Sequence, residues 1–391
     1  MTFALLRYSL GIDEQFGHCP TAEQWQVLYA EAERQALRGV LYSGVSRLQP
    51  PAAPPLPLAM KWARYRETLR GLNELFNSEA ARLTALFEAQ GHRTAILKGQ
   101  ANARLYPDPM SRQPGDIDIY VDGGRKSVEM MLRKLGLMEG ADDEQFHHVC
   151  LPKDRVAVPV EVHNMPSFGT ANLRTNKRLQ AWLNELLEQE PEMQPEGFRT
   201  PSLPFALTMQ LAHISQHLIG GGVGMRQVVD YYMLLHAATD DERRAVAGKL
   251  KSVGLRYVGE ALMWVLAETL HLEAEMMLVK PNKWRGEWMM ERIVGGGNFG
   301  HYGTPKRLGL WQTFFEQRRE HWQLFRFNPI EGLSFLRFDL DLVLSILTTI
   351  PERMRRGTLR IDGHYKEWYR KRERQRHEQW MEGSTKGNKE M

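Results

Sequence analysis

Asp116 and Asp118 stand two residues apart in the stretch GDIDIYV, where Ile117, Ile119 and Val121 alternate with polar neighbours. That period of two predicts a β-strand. Residues two apart on a strand share a face, so the two carboxylates lie side by side while the isoleucines turn into the core. Like charges this close repel, and the usual remedies are protonation or a bound cation. A hard divalent ion that prefers oxygen ligands, Mg²⁺ or Mn²⁺, is the natural partner. Glu161 and His163 repeat the same spacing at the end of a second Val-rich run. If that run lies beside the first, Glu161 supplies a third carboxylate. Three carboxylates can hold two metals about 3.5–4 Å apart, the arrangement used for in-line displacement at phosphorus.

Lys98 and Gly99 end a short apolar run, Thr94 to Leu97, just before a helical stretch from Gln100 to Leu105. Backbone donors at a helix start favour phosphate, and Lys98 adds positive charge. Its structural alternative is a pair with a carboxylate. Arg112, four residues ahead of Asp116, is a candidate phosphate clamp or, more simply, a cap on the Pro-Gly turn. His163 shares the face of Glu161. His147 and His148 fall on opposite faces if both lie on a strand, which disfavours joint ligation. His213 and His217 are one helical turn apart, either packed in the core or lining a cleft; the HExxH glutamate of a zinc helix is missing between them. Arg226 and Asp230 have the same spacing and read as a helix pair. Gly220, Gly221, Gly222 and Gly224 read as a cap and turn, without the Gly-Lys-Ser/Thr of a phosphate loop.

The elements that must position these groups can be read in outline. Thr21 with Gln24 forms a capping box, and Leu37, Leu41, Val45 and Leu48 continue at helical spacing until the prolines from Pro50 to Pro57. A second helix spans about 58–90 and ends at Gly91. Strands are expected at 94–97, 117–121, 146–151 and 156–162, with a helix over 126–135. After residue 173 the pattern is helical again, with an apolar face on Leu207, Leu211, Ile214 and Leu218. A capping box at Thr239 to Glu242 and helices over 257–272 and 333–350 follow. Gly295 to Gly303 holds five glycines in nine residues, which reads as a loop.

Composition narrows the class. The chain has 391 residues, 42% hydrophobic and 25% charged, which is ordinary globular usage. The formal net charge of +4 is too small to argue for nucleic acid. Residues 351–380 contain ten Lys or Arg against five Asp or Glu, with Trp368, Tyr369 and Trp380 among them. Alternating signs favour a solvated, ion-paired helix there over an RNA-binding one. A membrane span and a secretion signal are not expected, and two cysteines cannot build a disulfide framework, so a cytoplasmic setting is expected.

The order Lys-Gly, Arg, Gly-Asp-Ile-Asp and Glu-Val-His resembles the polymerase-beta-type nucleotidyltransferase superfamily. Within it, the chain is similar to the bacterial family labelled "uncharacterised nucleotidyltransferase". That likeness includes the helical stretch HISQHLIGGGVGMRQVVDYYMLL at 213–235 and GGNFG at 296–300. The resemblance implies a small mixed sheet flanked by helices, and transfer of a nucleoside monophosphate from an NTP, with ATP the expected donor, to an acceptor hydroxyl. Asp116, Asp118 and Glu161 would hold the metals, Glu161 would also help deprotonate the acceptor, and Gly99 would approach the triphosphate. One departure stands out: Lys98-Gly99 occupies the place of the superfamily's Gly-Ser or Gly-Gly, and with it goes the usual serine contact to phosphate.

The expected fold is therefore α+β, a nucleotidyltransferase core at 91–165 embedded in a mostly helical chain. A helical region at 1–90 precedes it, a helical domain at 166–350 follows, and a basic helix and tail occupy 351–391. The expected activity is metal-dependent nucleotidyl transfer; the alternative is an inactive nucleotide-binding or scaffold protein on the same fold. The acceptor, a protein, small molecule or RNA, is not written in the metal site.

Overall fold

The computed structural model describes residues 1–138, 147–220, 222–297, 310–337, 339, 340 and 344. These fall into two compact units, 1–170 with 175–307, and 171–174 with the described residues from 310 onward. Four helices lead the first unit: α1 (Thr2–Leu10), α2 (Ala22–Arg34), α3 (Arg38–Val45) and α4 (Leu56–Glu88). The capping box at Thr21 forms as expected, with Gln24 returning a bond to the Thr21 backbone. The helix it opens is shorter than its apolar stripe suggested. Ala36 takes a left-handed φ of 55°, which breaks the run, and Leu37, Leu41 and Val45 are buried by the separate helix α3. Pro55 and Pro57 sit at the start of α4, where a missing backbone donor is harmless. Gly91, at φ 85°, turns the chain after it.

The core sheet contains β1 (Thr94–Ile96), β2 (Ile117–Val121), β3 (His148–Cys150) and β4 (Val160–His163), with α5 (Gln100–Ala103) and α6 (Gly124–Lys134) between them. The spatial order is β1-β2-β4-β3. β2 and β4 are parallel, and each is flanked on its outer side by an antiparallel strand. The registers decide which side chains meet. Ile117 pairs with Val160 and Ile119 with Val162, while Asp118 pairs with Glu161 and Tyr120 with His163. His148 lies opposite His163 and Cys150 opposite Glu161. The apolar members pack in one cluster with Phe76, Ala80, Leu83 and Phe87 of α4 and Val128, Met131 and Leu132 of α6. One face is thus covered by helices, and the opposite face collects the polar residues.

The rest of the first unit is helical: α7 (Leu173–Glu188), a two-stranded ribbon of β5 (Glu192–Met193) and β6 (Arg199–Thr200), then α8 (Leu203–Gly220), α9 (Met225–Ala237), α10 (Asp240–Leu250), α11 (Arg256–Leu270) and α12 (Lys283–Gly296). The capping box at Thr239 opens α10. In the second unit α13 (Leu310–Phe327) is followed by helical residues 329–337; of the loop expected at 295–303, Gly295 and Gly296 instead end α12, while residues 298–303, most of the helix expected to reach Ile350 and the basic stretch at 351–380 lie outside the described residues. The whole is mostly helical with one small mixed sheet, an α+β fold. Among the described residues no helix is long and apolar enough to cross a membrane.

One close approach fixes the loop before β2. A Cβ on Gly39 of α3 would fall 2.1 Å from the Ser111 carbonyl oxygen and 2.3 Å from Leu69 Cδ2. Gly39→Ala is therefore expected to destabilise the fold by about 1–3 kcal/mol or more, read as a lowered midpoint in urea denaturation.

Candidate active site

The site grows from the polar face of the sheet. Lys98 follows β1, which borders β2, so its Nζ reaches within 3.1 Å of Asp118 Oδ1 and 3.9 Å of Asp116 Oδ1. Both aspartates therefore converge on one ammonium. Asp118 is almost wholly buried and Asp116, just ahead of β2, is a third exposed. Glu161 comes alongside Asp118 by register, and His163, two residues further on, places Nε2 3.0 Å from Asp118 Oδ1 and 3.5 Å from Glu161 Oε2. Gly99 makes the turn beside them: its φ is 63°, and a Cβ there would lie 3.2 Å from the Asp116 carbonyl oxygen. The structure thus brings together Lys98, Gly99, Asp116, Asp118 and Glu161, all singled out from the sequence.

Each charge is shaped by its neighbours. Burial alone would lower the Lys98 pKa, but Asp118, Asp116 and Glu161 outweigh it and hold the ammonium charged. Burial would raise Asp118, yet Lys98 and the His163 hydrogen bond keep it below its ordinary value. The same balance lowers Glu161, through burial opposed by His163 and His148. Asp118 Oδ2 is buried and has no hydrogen-bond partner among the described residues. An orphaned buried carboxylate oxygen, with the Glu161 carboxylate alongside by register, suits a divalent cation. Oxygen and nitrogen atoms of Asp118, Glu161 and His163 lie within 4.8 Å of one another, close enough to share an ion.

Arg112 is placed differently from the expected phosphate clamp. Its guanidinium forms a two-pronged pair with Asp230 of α9, at 2.7 and 2.8 Å, and Tyr106 donates to the same carboxylate at 2.8 Å. The pair is buried on both sides. Arg226, one turn earlier on α9, adds its charge to the same carboxylate and also reaches further. Arg226 Nη1 donates to the carbonyls of Gln113 and Pro114, at 2.9 and 3.4 Å. Burial, and Arg112 beside it, bring the Arg226 pKa down to about 10. Both arginines thereby tie the segment that delivers Asp116 to a helix more than a hundred residues away.

Beyond the carboxylates the face opens on a cleft of about 240 Å³. Its walls include His147, His148, His163, His213 and His217. On a shared strand, His147 and His148 would fall on opposite faces. The strand begins only at His148, so the alternation does not govern His147, and its Nε2 comes 2.9 Å from His148 Nδ1. His213 and His217 on α8 face the cleft with ring centroids 4.3 Å apart. Burial and the nearby Lys98 charge push His213 well down and His217 to about 4. Their helical spacing was the only available signal, and it could not tell a packed pair from a cleft wall.

Carboxylates from adjacent strands, a lysine at a strand end and a Gly turn define a candidate divalent-metal site of the kind nucleotidyltransferases generally use with an NTP. Residues 21–271 match the family described as "uncharacterised nucleotidyltransferase", and the chain belongs to that family. Searches of curated proteins and of solved structures find no match.

Proposed function

We propose that this protein transfers a nucleoside monophosphate from an NTP, ATP first among candidates, to an acceptor hydroxyl and releases pyrophosphate. The observation carrying this reading is the in-register pairing of Asp118 and Glu161, with Asp116 reaching the same lysine as Asp118, while Asp118 Oδ2 is buried and has no hydrogen-bond partner among the described residues. These three carboxylates would hold Mg²⁺ or Mn²⁺, which supplies stabilisation of the charge that develops on the phosphates. The acceptor oxygen bonds to the α-phosphorus, the bond from that phosphorus to the bridging oxygen breaks, and pyrophosphate leaves. Glu161, the more accessible of the two paired carboxylates, takes the hydroxyl proton. Lys98 neutralises charge beside the aspartates and is suited to meet phosphate. Gly99 lets the backbone approach it. Arg112, held by Asp230, serves this reading by positioning Asp116. Acceptor choice falls to the helical residues after 166 that wall the cleft, in a cytoplasmic enzyme.

Incubation with each α-labelled NTP and Mg²⁺ or Mn²⁺ tests the proposal. Label should leave the nucleotide for an acceptor, with pyrophosphate released in equal amount. A competing reading, a nucleotide-binding protein without turnover, draws on one observation: Lys98 and His163 already compensate Asp118. Tight nucleotide binding with no divalent-dependent pyrophosphate would favour it.

A further inference from the structure

Three imidazoles meet where β3 and β4 run side by side. His148 and His163 are directly opposed by register, and His147 turns in beside them. Their ring centroids are 4.2, 5.2 and 5.6 Å apart, and one nitrogen from each lies within 4.8 Å of the others. All three residues are more than nine-tenths buried. His148 Nε2 and His163 Nδ1 are buried and without a hydrogen-bond partner among the described residues. The transfer reaction proposed above uses neither atom.

We propose that His147, His148 and His163 form a three-imidazole site for a Zn²⁺-class transition ion, adjoining the carboxylate site through His163 and through His148, whose Nδ1 lies 3.4 Å from Glu161 Oε2. Imidazole nitrogens select zinc and its neighbours over Mg²⁺, which demands oxygen. In a tetrahedral site with bonds of about 2.0–2.1 Å the ligand atoms stand roughly 3.4 Å apart, so nitrogens now within 4.8 Å of one another would have to draw together as the ion binds. His163 presents Nε2 to Asp118 and Glu161, 3.0 and 3.5 Å away. A carboxylate behind a ligating histidine fixes its ring and raises its basicity, as metal sites commonly require. The fourth position opens on the 240 Å³ cleft, leaving room for water or a substrate atom. The site stands whether or not the cleft transfers nucleotides.

Co²⁺, a spectroscopic stand-in for Zn²⁺, tests this on the full-length protein after stripping with a chelator. One equivalent should bind with the visible absorption of four- or five-coordinate cobalt. The bands should persist in roughly hundredfold excess Mg²⁺ and vanish when Zn²⁺ is added. His148→Ala and His147→Gln should each weaken Co²⁺ binding at least about tenfold, with thermal melts confirming that the variants fold. Asp116→Asn should keep the bands while losing transfer, which separates this site from the reaction. Absent bands, displacement by Mg²⁺, or bands unchanged in folded His147 and His148 variants would overturn the proposal. Loss of the bands in Asp116→Asn would do so too, by placing the ion on the carboxylates.

Discussion

Asp116→Asn is expected to cut nucleotidyl transfer on the order of 10³-fold, about 4 kcal/mol of transition-state stabilisation, with little change in folding. The asymmetry follows from exposure. Asp116 is a third exposed and lies 3.9 Å from Lys98, so an amide there leaves no buried charge stranded. Asp118→Asn should be equally inactive and also less stable, because Lys98 and His163 would lose the carboxylate that compensates them. Pyrophosphate release per turnover and chemical denaturation, measured on both variants, separate the effects. Activity that survives in Asp116→Asn unchanged would remove the carboxylate centre from the mechanism.

The largest stability effect is expected at the Arg112–Asp230 pair. Asp230→Ala strands a buried guanidinium and should cost about 3–5 kcal/mol, read from urea denaturation. Arg112→Ala strands the carboxylate and should cost a similar amount. The double variant should cost less than the sum of the two, since each single change already breaks the same contact. The pair also sets an acid limit. Burial pushes the Asp230 carboxyl up, but Arg112, through its charge and hydrogen bonds, together with Arg226 and Tyr106, holds it below its ordinary 3.8. A carboxyl with a lowered folded pKa contributes stability that is present above pH 3.8 and lost as pH falls through the folded value. Arg112 stays charged throughout that range. Wild type should therefore lose stability more steeply than Asp230→Asn in strong acid, and parallel curves would show that the pair carries no such linkage.

Much of the sheet was legible because one physical regularity governs it. The two-residue period of Asp116 to Val121 fixed which side chains enter the core, and the Glu161–His163 repeat predicted a second strand facing the same way. Adjacency of those strands is a long-range fact that the spacing left as a condition, and the parallel pairing of Asp118 with Glu161 supplies it. Arg112 stayed open between two roles for the opposite reason. Its partner Asp230 is 118 residues away, and nothing local distinguishes a phosphate clamp from half of a buried ion pair. The opposite-face reading of His147 does not apply, because the strand starts at His148, two residues later than the expected 146. The break at Ala36 was invisible because a left-handed alanine goes against local preference and is imposed by packing.

Lys98 and His163 hold Asp118 in its ionised form before any ion arrives. On the proposed metal-dependent reading, this compensation would let the polypeptide reach its native shape without waiting for the ion. Chelator-treated preparations should accordingly stay folded, with a melting temperature lowered only by the lost binding of the ion, and should regain activity upon adding it without a refolding lag. Scarcity would then regulate output by occupancy rather than by loss of protein.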